Sequence, residues 1–225
     1  MMKWLALIVL MLTVPAAAQT APSAAEIKGY TGLHAAAAKG DAVEIERLAR
    51  AGAAIDARDA NKRTPLHVAI FMHHADAARA LLKHGADPNA SDAGRYDIVT
   101  IAAVQSDVAM LKLALAGGGK ATNVTSPYDG TALIAAAHLG HDEVVRLLIA
   151  AKAPLDHVNN LGWTAVIESI VLGDGGERHV ATLKALVDAG ANVNIADRSG
   201  TMPLALAKAH GYTEMIAILE KAGAR

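Results

Sequence analysis

Apolar and polar positions follow a helical rhythm along this chain that is interrupted at regular places. Val144, Val145, Leu147 and Leu148 mark one apolar helix face, and Gly140 separates that segment from the apolar run before it. Block after block reads the same way, as two short antiparallel helices. Gly52, Gly85 and Gly190 stand just past the second helix, where a left-handed residue ends a helix at no steric cost. The polar stretches that follow, such as Asp59-Ala60-Asn61-Lys62, are turn chemistry leading into the next first helix. One segment departs from this rhythm: Lys3, an unbroken apolar run from Trp4 to Leu12, then Thr13, Val14, Pro15 and three alanines. That is the order of a secretory signal. Ala16-Ala17-Ala18 satisfies the Ala-x-Ala rule, so cleavage is expected after Ala18 with Gln19 as the new N-terminus. A spanning helix needs about 20 apolar residues, and this run stops at Pro15. The expected organisation is a signal peptide over 1–18, a leader over 19–30, and a mature chain with no stable membrane insertion.

The interruptions keep a period. Thr31-Gly32-Leu33-His34-Ala35-Ala36 recurs as Thr64-Pro65-Leu66-His67-Val68-Ala69, and the frame continues at Asp97, Thr131, Thr164 and Met202, in steps of 33, 33, 34, 33 and 38 residues. A second marker stays in phase: Gly52 to Asp56, Gly85 to Asn89, Gly119 to Asn123, Lys152 to Asp156 and Gly190 to Asn194, each closing eight residues before the next copy. A fixed period of this length is the signature of a repeat array. One helix pair cannot bury its own apolar face, so stability must come from stacking neighbours.

These residues resemble the ankyrin repeat, whose Thr-Pro-Leu-His opening and Gly-Ala-Asp-x-Asn close stand almost intact in the second copy. The resemblance covers residues 31–225. It implies an all-α solenoid of about six helix-turn-helix repeats with projecting β-hairpin fingers at the turns. The third copy opens Asp97-Ile98-Val99-Thr100 and the fifth Thr164-Ala165-Val166-Ile167, without the Pro or the His; Asp97 still serves as an N-cap. Two insertions interrupt the frame, one residue at Gly117-Gly118-Gly119 and about five at Gly173 to Arg178. Each reads as a tolerated loop or as a contact loop beside a binding surface.

Composition narrows the chemistry. The interior must be built from Ala, Leu, Val and Ile, because aromatic residues are 3% of the chain and apolar ones 53%. The formal charge of -1 gives no electrostatic case for nucleic acid. Without cysteine there is no disulfide, thiolate nucleophile or cysteine-based zinc site. Gly117-Gly118-Gly119-Lys120-Ala121 lacks the Ser or Thr that a phosphate loop places after its Lys. Ser169 has no nucleophile elbow around it. No catalytic constellation emerges, and no cofactor is expected.

Histidine is the one reactive side chain in abundance, at ten residues. His34 and His67 belong to the opening motif, where the resemblance implies hydrogen bonds between repeats. His74, His141 and His179 share one position after the first helix. The others, His73, His84, His138, His157 and His210, leave a metal-binding or metal-buffering protein as the alternative reading.

The leading reading is an exported module that binds another protein. Ankyrin arrays resembling this one bind through finger residues before the opening and residues near the end of the first helix. The mature aromatics fall there: Tyr30, Tyr96 and Trp163 directly precede an opening, Tyr128 lies on a finger and Phe71 ends a first helix. Met72, Leu139, Val171 and Leu172 extend an apolar floor beside them, with His138 nearby. Phe71 and Trp163 are expected to face outward as anchors. The Ala-rich cleavage region and small repeats favour a bacterial periplasmic or secreted location.

Overall fold

The four inner copies begin with a side-chain helix cap. Thr64, Asp97, Thr131 and Thr164 hold extended backbone, and their side-chain oxygens accept the amides of His67, Thr100, Ile134 and Ile167, occupying one of the four amides a helix start leaves unpaired. The computed structural model describes residues 19–225; the expected signal peptide, residues 1–18, lies outside them. The described chain carries α1 (Ala24–Gly29) and six helix pairs: α2 (Gly32–Lys39) with α3 (Ala42–Arg50), α4 (Pro65–Phe71) with α5 (Ala75–Lys83), α6 (Ile98–Val104) with α7 (Val108–Ala116), α8 (Ala132–His138) with α9 (Asp142–Ala150), α10 (Ala165–Val171) with α11 (Glu177–Asp188), and α12 (Pro203–His210) with α13 (Thr213–Lys221).

The pairs stack into two layers. First helices contact first helices from α2 through α12, and second helices contact second helices from α3 through α13. The layers differ in burial. Every residue of α4 is buried, whereas α9 buries only Val144, Val145 and Leu148 along one face. First helices are packed on the second-helix layer and on their neighbours, so few of their positions can be polar. Burying a Leu or Ile in that core contributes about 1.5–3 kcal/mol, and Leu66, Ile70, Ile101, Leu133 and Ile170 are all fully buried.

The fingers are built mainly by side chains. Asp59 accepts the amides of Asn61 and Arg63, Asn159 those of Leu161 and Trp163, and Asp197 those of Ser199 and Thr201. These Asx loops satisfy locally the amides a strand ladder would pair. Among the described residues one finger alone forms a ladder: β1 (Val124–Thr125) pairs antiparallel with β2 (Gly130–Thr131), Val124 opposite Thr131. The expected hairpin fingers are therefore turns at most positions.

The leader is more structured than its sequence predicts. Ser23 and Glu26 form a capping box at the start of α1. Arg63, fully buried, then ties the leader to the second copy: it pairs with Glu26 and with Asp59 and donates to the Thr20 carbonyl at 3.0 Å.

Candidate functional site

Residues 19 to 21 of the leader run into a cavity of about 360 Å³ between the first-helix ends and the fingers. Its floor comes from the ends of three consecutive first helices: Phe71 of α4, Val104 of α6 and His138 with Leu139 of α8. Its rim comes from the fingers, through Tyr96, Ser126, Tyr128 and Asn159. Gln19 and Ala21 of the leader also line it, and among the described residues both polar side-chain atoms of Gln19 are buried without a hydrogen-bond partner.

The expected site residues divide accordingly. Phe71, Tyr96, Tyr128, His138 and Leu139 line this one cavity. Tyr30, Met72, Trp163, Val171 and Leu172 do not. Tyr30 instead donates from its hydroxyl to Asp59 at 2.7 Å, clasping the next finger; burial and that carboxylate push its pKa up. Met72 is the half-buried C-cap of α4 and packs on the core. Trp163 and Val171 are half-buried, and Leu172 is exposed.

The expectation of outward aromatic anchors needs correction at two positions. Phe71 is 5% exposed and Tyr96 7% exposed, and both belong to the hydrophobic core. The end of a first helix here is covered from both sides: the neighbouring copy crosses it, with Gln105 donating to the Phe71 carbonyl at 3.2 Å. Among its apolar lining residues, Tyr128 and Val104 are half-buried and Leu139 is 37% exposed.

Most histidines are scaffold. His34 and His67 each donate from Nε2 to the carbonyl before the next opening, that of Arg63 at 3.0 Å and of Tyr96 at 3.2 Å. His67 also accepts the Thr64 amide at Nδ1, so it is held neutral, and burial pushes its pKa down to about 4. His74, His141 and His179 donate back to the preceding copy, to Ala38, Ala103 and His138. Tyr212 takes the same position in the last copy, its hydroxyl donating to Gly173 at 2.9 Å. That bond docks the Gly173–Arg178 insertion: a Cβ at Gly175, whose φ is 70°, would collide with the Tyr212 ring. His157 donates to Asp129 at 2.6 Å. His73 pairs with Asp107, His84 lies 3.7 Å from Glu46, and His210 stacks on Tyr212. Among the described residues no three His, Asp or Glu side chains gather as a metal site, and no helix is long and apolar enough to cross a membrane.

One cluster in the cavity matches none of the repeat motifs. Glu168, only 4% exposed, receives Asn159 Nδ2 on Oε1 at 2.9 Å, and His138 Nδ1 lies 3.2 Å from its Oε2. The signal was available in the repeat register. The fourth position of the first helix is Ala35, Val68, Ile101, Ala135 and Leu206 in the other copies, and Glu168 here. The turn-closing position of the finger is Asp59, Asp92 and Asp197 in three other fingers, Ser126 in the fourth, and Asn159 here.

Two layers of helix pairs, finger loops and a cavity across several copies define the protein as a repeat array of the kind that mediates protein–protein interaction. The chain belongs to the ankyrin repeat family: a model of three consecutive ankyrin repeats matches it twice, over residues 6–92 and 99–197. It is 30% identical over 190 residues to YahD of Escherichia coli strain K12, which carries the name of an ankyrin repeat protein, covering 84% of this chain and 94% of that one. A solved ankyrin repeat domain from Acinetobacter baumannii AYE superposes with a TM-score of 0.82 at 42% identity, over 86% of this chain and 98% of its own. A chain of the complex between a predatory endopeptidase of Bdellovibrio bacteriovorus and an immunity protein superposes with a TM-score of 0.71 over 85% and 98%. At 20% identity that likeness concerns the fold.

Proposed function

We propose that this chain is an exported, non-catalytic binding module whose cavity between first-helix ends and fingers engages another protein. The carrying observation is the convergence of four copies on one 360 Å³ space with apolar walls and a few buried polar groups, the usual constitution of a recognition site. Export rests on the charged, apolar and small-residue order of residues 1–18, and with it a periplasmic or secreted location. Scaffold bonds of most histidines favour this reading over the metal-buffering alternative.

Site-specific photocrosslinking tests this reading. A photoreactive side chain at Leu139, in the cavity, is compared with one at Val43, which is 81% exposed and outside it. In cells making the full chain, a discrete adduct is expected from position 139 and none from 43. Equal labelling at both positions would sink the cavity as the interface. Osmotic-shock fractionation with N-terminal sequencing checks export; a product retaining residues 1–18 in the cytoplasm would remove that part.

A further inference from the structure

The cluster at Glu168 carries more than the scaffold requires. A buried carboxylate is costly unless it is paired, yet among the described residues no lysine or arginine forms an ion pair with it; its ionic neighbour is His138. The same register position is aliphatic in all five other copies, so the fold does not ask for an acid there. Asn159 has changed in step. Its Oδ1 closes the finger turn as Asp59 and Asp197 do, and its Nδ2, which an aspartate lacks, is the atom that donates to Glu168. Two coordinated departures from the repeat keep one carboxylate at the wall of the cavity, and among the described residues the ion-pair neighbour of its Oε2 is His138, 3.2 Å away with its side chain 32% exposed. Around it, Tyr96, Tyr128, Ile134 and Leu139 offer apolar walls.

We infer that the cavity recognises an extended partner segment through a cationic side chain, lysine or arginine, seated against the Glu168 carboxylate. This rests on the cavity being the binding surface. The chemistry fits on both counts. A lysine or arginine stem packs along apolar and aromatic walls while its head stays polar, and a carboxylate that accepts one hydrogen bond, from Asn159, retains lone pairs for further donors. The leader shows that extended chain enters this space, and its Gln19 leaves two polar atoms unsatisfied there. A segment that brings a cation to Glu168 has the better complementarity and displaces it.

The test uses residues 19–225 with a phage-displayed library of random 12-residue peptides. Retained peptides are expected to carry lysine or arginine next to an apolar residue. Their affinity should fall roughly tenfold or more on Glu168→Gln, in the range seen when one partner of a buried charge pair is neutralised. Gln keeps the shape of Glu168 and an oxygen for Asn159, and circular dichroism checks that the fold is kept. Replacing the peptide's cation by glutamine should cost little further once Glu168 is already Gln; additive losses would mean a merely structural role and overturn the inference. Peptides without a cation, unchanged affinity on Glu168→Gln, or no retained peptide also overturn it. Leu139→Asp separates the two levels. Binding lost there but indifferent to Glu168→Gln leaves the cavity and removes the cation; binding indifferent to both removes the cavity as well.

Discussion

In the second copy the finger turn is closed by Asp59 and the fourth helix position is Val68; in the fifth copy the same two places hold Asn159 and Glu168. The backbones are equivalent, with threonine caps at Thr64 and Thr164 and a closed finger turn before each. What differs is where the polar side chains are used. In the second copy they face the array: Asp59 binds Arg63 and Tyr30, and His67 bonds the next finger. Burial raises the Asp59 carboxyl, but the bonds donated by Tyr30 and Arg63 outweigh it and leave its pKa lowered. In the fifth copy the polar side chains face the cavity. Where the motif is kept, residues hold the stack together; where it is broken in a coordinated way, they are free to meet something else.

The largest effect that contrast predicts lies on its scaffold side. Phe71→Ala should cost about 3–5 kcal/mol of unfolding free energy in chemical denaturation, the range for truncating a buried aromatic, because Phe71 belongs to the core. Trp163→Ala, half-buried and before the fifth copy, should cost clearly less. If Phe71→Ala stays within about half a kcal/mol, as exposed substitutions do, the ring faces outward and the assignment of the second copy to scaffold is wrong.

Much of this was legible in the sequence, for a physical reason. Phase, helix pairs, caps and the inter-repeat bonds of His34 and His67 follow from residues that recur because every copy solves the same local problem. The orientation of Phe71 was less legible. Its slot is defined within one copy, but its exposure depends on the neighbouring copy, whose Gln105 side chain reaches the Phe71 carbonyl. Glu168 stood in plain view as a register anomaly. Motif matching passes over it, because this residue is informative by failing to match. The leader was unreadable for another reason: its order depends on Arg63, more than thirty residues away.

A second break in the comparison is acidic pH. His67 titrates near pH 4 in the folded chain and near 6.5 when unfolded. Between those values the unfolded state binds the extra proton, so stability is complete above about pH 6.5 and falls as pH drops towards 4. Each pH unit across that window costs up to about 1.4 kcal/mol, so the loss should approach roughly 3 kcal/mol at pH 4. In denaturation measured across this window, His67→Gln should flatten the slope. An unchanged slope would mean that His67 is not the neutral, buried scaffold group described here.

The finest distinction comes from rewriting the fifth copy as an ordinary one. Asn159→Asp alone puts a second carboxylate where Asn159 Nδ2 now donates to Glu168 at 2.9 Å. It removes a bond and adds a like charge, so a loss of roughly 2 kcal/mol is expected at neutral pH. Glu168→Leu alone restores the residue type of the other copies but leaves Asn159 Nδ2 buried without an acceptor, a cost of about 1–3 kcal/mol set against a similar gain from the added apolar burial. The two together recreate the pairing of Asp197 with Leu206 in the last copy. The double variant should therefore be within about 1 kcal/mol of the parent or above it, as when a buried ionic group is replaced by a packed apolar one. The non-additivity would show that the pair changed together. If the double variant is instead less stable than either single one, Asn159 and Glu168 are holding the fifth finger in place, and the cluster belongs with Arg63 and His67 on the scaffold side of the molecule.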